Sequence, residues 1–183
     1  MIFEQISFTT KDGREALLRN PQKADIPAIL KYLTVSSGET DFLIRYPEEI
    51  NYTYESEKEL LEQVNASENQ TMLVCLVEGN IAGMSQISFE TRLKTRHRAS
   101  VAIALLKDYW NIGIGTHIMD TLISIAEENA NILQIELDFI EGNDRARTLY
   151  EKMGFRIAGI HPDAVRLKDG TLLNEYLMIK KIR

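Results

Sequence analysis

The segment Tyr109-Trp110-Asn111-Ile112-Gly113-Ile114-Gly115-Thr116 stands between two hydrophobic rhythms. Before it, Ser100–Leu106 alternates: Val101, Ile103 and Leu105 fall on one side, Ser100, Ala102 and Ala104 on the other. That is the period of a strand. After it, Ile118, Met119, Leu122, Ile125 and Ala126 recur at helical spacing. The two glycines therefore lie where a strand hands over to a helix. Glycine takes backbone angles that other residues resist, so successive N–H groups can converge there. The helix start adds partial positive charge, and the combination suits a phosphate. A strand-to-helix turn that merely needs pliable residues reads the same way, so the glycines alone do not decide the function.

Downstream, Ile135–Phe139 reads as a second strand and Asn143–Met153 as a second helix, with Gly154 as its C-terminal cap. Strand, helix, strand, helix implies a right-handed parallel crossover. Asn143 and Tyr150 are seven residues apart, about two helical turns, and so share one stripe with small Ala146 between them. Something long and thin fits along such a stripe. A half-buried structural tyrosine beside Leu149 is the alternative reading of Tyr150. Phe155–Ile160 and Tyr176–Ile182 complete the chain as strands, with Asp169-Gly170 turning into the last one.

Upstream, residues 2–9 and 14–19 read as strands joined at Asp12-Gly13. Asp25 reads as a helix N-cap before Ile26, Ile29, Leu30 and Leu33, and Ser36-Ser37-Gly38 as the end of that helix. Residues 39–55 read as an irregular loop and Ser56–Val64 as a polar helix. Thr71–Val77 and Ile81–Phe89 form a hairpin turning at Gly79-Asn80. The basic run Arg92, Lys94, Arg96, Arg98 reads as a solvated turn rather than a phosphate clamp. Together these elements give an α/β chain with a mixed (α+β) sheet: mostly antiparallel N-terminal strands and a parallel strand–helix–strand core.

Composition narrows the function. At 183 residues, 44% hydrophobic and 26% charged, the chain fits one globular domain spanning residues 1–183. One cysteine excludes an internal disulfide, and His97, His117 and His161 are scattered, so no metal site is expected. Cys75 lies in the apolar run Met72–Val77 and reads as a buried thiol without an activating partner. Twenty-one basic residues against 27 acidic ones give a net charge of −6, the wrong sign for a general nucleic-acid binder. No apolar run reaches the about 18 residues of a membrane span. The opening residues lack the pattern of a secretory signal, and the expected compartment is the cytoplasm. A dinucleotide fingerprint would need a third glycine where Ile118 stands, and the phosphate-loop pattern GxxxxGK[ST] is absent.

The joint occurrence of the GxG turn with Asn143-x-x-Ala146-x-x-Leu149-Tyr150-x-x-x-Gly154-Phe155 resembles the GNAT superfamily of acetyl-CoA-dependent N-acetyltransferases. The resemblance is strong over residues 98–160 and looser before them. It departs at one point: the family pattern usually opens [QR]-x-x-G-x-G/A, and Trp110 occupies that first place.

The resemblance implies an N-acyltransferase fold and acetyl-CoA as cosubstrate. It implies that the diphosphate of the cofactor sits on the N–H groups of residues 111–116: Asn111, Ile112, Gly113, Ile114, Gly115 and Thr116. It implies that the pantetheine arm runs along Ile103–Leu105 opposite Ile135–Phe139, with Ile103 and Leu105 offering backbone groups as to an added strand. Asn143 then contacts the cofactor and Tyr150 serves as general acid to the departing sulfur. An oxyanion is expected to meet the N–H of Leu105 or Leu106. The general base stays open among Glu90, Glu136 and His97, each of which reads more readily as a surface residue.

The implied acceptor is a small-molecule primary amine: a metabolite, amino acid or amine toxin. Its wall is expected over Phe42–Tyr54, where Tyr46, Tyr52 and Tyr54 would stack and Glu48 and Glu49 would draw in a cation. A protein N-terminus, an acetyl-CoA sensor without turnover and a nicotinamide-binding protein remain as alternatives. Homodimers are common in the family, although no residue marks one.

Overall fold

The computed structural model describes residues 1–183. Its strands form one eight-stranded sheet in the order β1-β2-β3-β4-β5-β6-β8-β7. β1 (Ile6–Thr9) and β2 (Glu15–Arg19) form the first hairpin, and β3 (Gln70–Val77) and β4 (Asn80–Phe89) the second. β5 (Arg98–Leu105) follows antiparallel to β4. The chain then crosses over through α3 (Ile114–Glu128) to β6 (Gln134–Ile140), the one parallel pairing in the sheet. α4 (Asp144–Lys152) leads to β7 (Arg156–Arg166) and β8 (Leu172–Lys181), and β8 returns to pair with β6. α1 (Ile26–Glu39) and α2 (Tyr54–Ala66) lie between the two hairpins in sequence.

The sheet is covered on both faces. The larger core sits under α3, where Ile114, Ile118, Met119, Leu122 and Ala126 are fully buried against Leu73, Ile87 and Ile135. Ile118, Met119, Leu122 and Ala126 are positions that the apolar spacing marks, and Ile114 joins them at the helix start. The smaller core joins Ile26, Ile29 and Tyr32 of α1 to Leu61 of α2 and to Val74 and Ile81 of the sheet.

Several expected boundaries shift, each for a local reason. α1 continues through Ser36-Ser37-Gly38 to Glu39. The Ser36 and Ser37 hydroxyls donate back to the Leu33 carbonyl (3.2 and 2.8 Å), so both are satisfied within the helix. Asp25 does not cap α1 with its side chain. Its carboxylate accepts from the Gln22 N–H at 2.7 Å and pairs with Arg19 at 2.6 Å, closing a 3-10 turn over Lys23–Asp25 instead. The second hairpin turns at Glu78-Gly79, one residue earlier than Gly79-Asn80, with φ of +49° and +80° at its two centre positions. Two positive φ values match the twist of the flanking strands.

The 39–55 loop contains a 3-10 turn at Pro47–Glu49, and α2 starts at Tyr54 because Thr53 and Ser56 cap each other reciprocally. β7 and β8 run past the sheet as a two-stranded ribbon, since β6 reaches β8 only over Glu175–Lys181. That ribbon is mostly exposed, which is why no apolar alternation marked it. The basic run 92–98 is a turn, as read, with Arg98 entering β5 and meeting Glu136 at 3.3 Å.

Candidate active site

The site arises from an incomplete pairing. β5 and β6 are in register at three positions only, Arg98 with Gln134, Ala99 with Ile135 and Ser100 with Glu136. Beyond Ser100 the strands part. β5 stays paired to β4 as far as Leu105 with Gly83, and the Leu106 N–H donates to the Ala82 carbonyl at 3.0 Å. Strand alternation then turns the main-chain groups of Ala102 and Ala104 toward β4, and those of Val101, Ile103 and Leu105 toward the opening. Leu106 is therefore committed to the sheet and cannot serve as an oxyanion donor, while the Leu105 N–H faces the gap. The main-chain groups of Ile103 and Leu105 thus border the gap.

A cleft of about 330 Å³ fills this gap. Val101–Leu105 form one wall, Asp138 and Phe139 of β6 another, and Asn143, Ala146, Leu149 and Tyr150 a third. Phe42 and Leu43 close the side toward α1.

At one end of the cleft the turn before α3 collects donors. Asn111 has φ +64° and Gly113 φ +95°, so two left-handed residues alternate with ordinary ones. Such a run points its amides inward. The N–H groups of residues 111–115 meet no acceptor within the chain, whereas Thr116 and His117 both donate to the Gly113 carbonyl (3.1 and 3.3 Å). Thr116 was expected to offer its amide and does not, because the first turn of α3 has used it. The Ile112 carbonyl accepts from the Lys11 N–H at 2.9 Å, which pins the turn to the first hairpin. His117 is exposed and stacks on Phe8 with centroids 4.1 Å apart.

Trp110 opens this turn. Its indole N–H donates to the Leu105 carbonyl at 2.8 Å, and the Arg145 guanidinium carbon lies 3.3 Å from the ring centroid. A Trp in this place thus braces the end of β5 against the start of α4.

The pattern N-x-x-A-x-x-L-Y-x-x-x-G-F has a structural origin. Asn143 is the N-cap of α4 and accepts from the Ala146 N–H at 3.2 Å. It lies outside the helix, so its oxygen serves the cap and only its amide N–H groups remain for a ligand. Gly154 has φ +87°, the Phe155 N–H donates to the Tyr150 carbonyl (2.9 Å) and the Gly154 N–H to the Glu151 carbonyl (3.0 Å). This double closure ends the helix. Asn143 and Gly154-Phe155 therefore fix both ends of a nine-residue helix that carries Tyr150. Tyr150 is 6% exposed and packs between Phe139 and Phe155, with ring centroids 6.3 and 6.2 Å away. Its hydroxyl bonds to nothing in the chain, and burial pushes its pKa up to about 12.

The general base reads differently from expectation. Glu136 is held by Arg98 and by the Gln134 amide (2.6 Å), Glu90 accepts from Thr95, and the His97 carbonyl receives the Leu133 amide. None of the three lines the cleft. The only carboxylate that does is Asp138. Asp138 is exposed at the cleft, and partial desolvation, then the charges of Glu175 and Glu136, shift its pKa upward. The signal in the sequence was the alternation of Gln134–Ile140, which turns Asp138 away from the face of Leu137 and Phe139.

A second cavity of about 620 Å³ lies toward α1 and shares Leu43, Ala102, Ile103 and Ala104 with the cleft. The 42–54 segment does supply its wall, through Leu43, Ile44, Arg45 and Ile50. The residues expected there are otherwise engaged. Tyr46 lies under Lys168, with the Lys168 ammonium 4.2 Å from its ring centroid and the Lys168 N–H donating to its hydroxyl at 3.1 Å. Glu48 pairs with the same lysine, Glu49 accepts from the Tyr46 N–H at 2.8 Å, and Tyr54 opens α2.

The chain contains no group of three or more potential metal ligands, and no helix long and apolar enough to cross a membrane. Comparison with known proteins agrees with this architecture. Residues 39–155 match the Acetyltransferase (GNAT) family. An N-alpha-acetyltransferase of Sulfurisphaera tokodaii is 27% identical over 156 residues, 80% of this chain and 83% of its own. The L-amino acid N-acetyltransferase AaaT of Escherichia coli is 26% identical over 108 residues, 59% of this chain and 66% of its own. The crystal structure of a GNAT-family acetyltransferase from Streptococcus pneumoniae superimposes with a TM-score of 0.85 at 30% identity, covering 91% of this chain and 99% of that one. With the family match spanning well over half its length, the chain belongs to the GNAT family of acetyltransferases.

Proposed function

We propose that residues 1–183 form one catalytic domain that moves an acetyl group from acetyl-CoA to the primary amine of a small molecule. The observation that carries this reading is the opening beyond Ser100 and Glu136, bordered by the outward main-chain groups of Val101, Ile103 and Leu105 and ending at five unpaired amides. A polyamide arm needs such an edge, and a diphosphate needs such a turn. When bound, acetyl-CoA supplies the acetyl group activated as a thioester.

The residues of the chain divide the remaining work. An alkylammonium has a pKa of about 10.4 and must lose a proton before it attacks. Asp138 accepts that proton, directly or through water, because its raised pKa makes it a better base than an ordinary carboxylate. The Leu105 N–H faces the gap and stabilises charge that develops on the carbonyl oxygen. Tyr150 gives its proton to the departing sulfur, whose conjugate acid has a pKa of about 8.5 if it resembles cysteine. The new nitrogen–carbon bond replaces the carbon–sulfur bond, the second proton that the nitrogen sheds on becoming an amide returns through solvent to the Tyr150 phenolate, and the products are an amide and a free thiol. Cys75, a lone buried thiol, fits the reducing cytoplasm in which we place the reaction.

A protein N-terminus is the second reading, favoured by the likeness to the Sulfurisphaera tokodaii N-alpha-acetyltransferase. Thiol release from acetyl-CoA, followed over free amines, amino acids and short peptides, tests both. Release with small amines and none with peptides supports the first. Release with peptides alone overturns it in favour of the second. Tight CoA binding without release for any acceptor marks a sensor, and calorimetric binding of NAD but not CoA discards the family chemistry altogether.

A further inference from the structure

The second cavity carries an electrostatic sign opposite to the one the sequence led us to expect. Glu48 and Glu49 were to attract a cationic acceptor, yet both carboxylates are tied up outside the cavity. Of the residues that line it, Arg45 alone is charged. The rest of the wall is apolar (Leu33, Ile50, Met72, Met84) or uncharged and polar (Ser36, Gln86).

Arg45 has no carboxylate partner. Its contacts are both on Tyr52: the guanidinium donates to the phenol oxygen and lies 5.5 Å from the ring centroid. A single contact to a phenol oxygen anchors one edge of the guanidinium and leaves other N–H groups free, in the fork that matches an oxyanion. Tyr52 is therefore a support for Arg45 rather than a platform for the acceptor. The cavity meets the cleft at Ala102–Ala104, so a ligand seated in it has one end at the acetyl-transfer site and the other within reach of Arg45.

We infer that the acceptor is an amine that also bears a carboxylate and an apolar body, the chemistry of a free amino acid with an apolar side chain, and that Arg45 holds its carboxylate. This inference rests on the acetyl-transfer reading above and narrows its acceptor. A polyamine or an aminoglycoside finds no carboxylate in this wall for its second cation. A peptide N-terminus carries an amide carbonyl in place of the carboxylate and gains little from Arg45.

The test uses matched acceptors that differ only in the anion: leucine, leucinamide and isoamylamine, then phenylalanine, phenylalaninamide and phenethylamine. Thiol release gives kcat/KM for each. The free acid should exceed its amide and its decarboxylated amine by about tenfold or more, the usual weight of a hydrogen bond to a charged group. Arg45→Gln should collapse that ratio toward one, mainly through KM, and Arg45→Lys should leave it between the two. Calorimetric CoA binding checks that each variant is folded. Equal rates across a matched set, preference for the amide or the decarboxylated amine, or a ratio untouched by Arg45→Gln would each overturn the assignment while leaving acetyl transfer intact. No release with any acceptor would overturn acetyl transfer itself, and this narrower claim with it.

Discussion

The indole N–H of Trp110 donates to the main-chain carbonyl of Leu105 at 2.8 Å. That carbonyl belongs to the last of the three residues whose backbone faces the cleft. Trp110 therefore holds the end of β5 and, through its ring, Arg145. Trp110→Ala removes a hydrogen bond of about 1 kcal/mol and a cation–π contact of similar size. A loss of about 1–2 kcal/mol weakens acetyl-CoA binding roughly five- to thirtyfold, read by calorimetry. Trp110 is the single tryptophan of the chain, so its fluorescence should also report binding in the wild type.

Gly113 has φ +95°, in the region where a side chain is strained by about 1–2 kcal/mol. A methyl group there would also approach Lys11 Cγ to 3.4 Å. Gly113→Ala should lower both the melting temperature and the affinity for CoA, because the same backbone angle aims the amides of the turn. Gly170→Ala, at φ +92° with open space around it, gives the comparison: similar strain, with CoA affinity retained.

Burial holds the Tyr150 phenol protonated up to about pH 12. Its proton thus stays available through pH 10, where an ordinary tyrosine is half ionised. kcat should show no basic limb below pH 10 that Tyr150→Phe removes. The Phe variant should lose about a hundredfold in kcat where chemistry limits the rate, with little change in CoA affinity. Full turnover would refute the role.

Asp138 should set the acidic limb of kcat/KM, displaced upward from that of a free aspartate. Asp138→Asn should abolish most turnover and that limb together. Its effect on stability has the opposite sign. A carboxyl whose pKa is raised by folding contributes stability below its unfolded pKa, and loses it as the pH rises through the folded value. At neutral pH the charged form is the less favoured one in the fold, so the Asn variant should melt at a higher temperature than the wild type. A fall in both activity and melting temperature would mark Asp138 as structural.

Cys75 is fully buried, and burial pushes its thiol pKa up to about 12. A chromogenic disulfide reagent should leave the native protein unlabelled and titrate one thiol after denaturation. The same reagent then measures released CoA thiol without background from the enzyme.

The parallel core of the fold was legible because both of its punctuation marks are backbone requirements. Gly113 and Gly154 occupy positive φ, and Asn143 caps a helix, so a one-dimensional pattern records three-dimensional constraints. Strand alternation sets the faces of Ile103 and Leu105, while their expected role at the cofactor comes from the family resemblance alone. What could not be read was set by long-range partners. Lys168 lies 120 residues from Glu48, and it takes both that carboxylate and Tyr46 away from the second cavity. Asp138 became a candidate base only when β6 was seen to part from β5. Ser36-Ser37-Gly38 carries the residues of a helix end, and the tertiary packing that buries Ser36 and Ser37 overrides that local preference.

Three register positions are the whole of the ladder that joins strands β1–β5 to strands β6–β8. The protein is in this sense two half-sheets meeting at a short seam, and thermal opening should concentrate where the seam ends. Ligand that bridges the two halves raises the free energy of that opening by mass action. Amide deuterium exchange at Val101, Ile103 and Leu105 should therefore be fast in the free enzyme and slow sharply on saturation, so that the nucleotide acts as a splint for the enzyme as well as its acyl source.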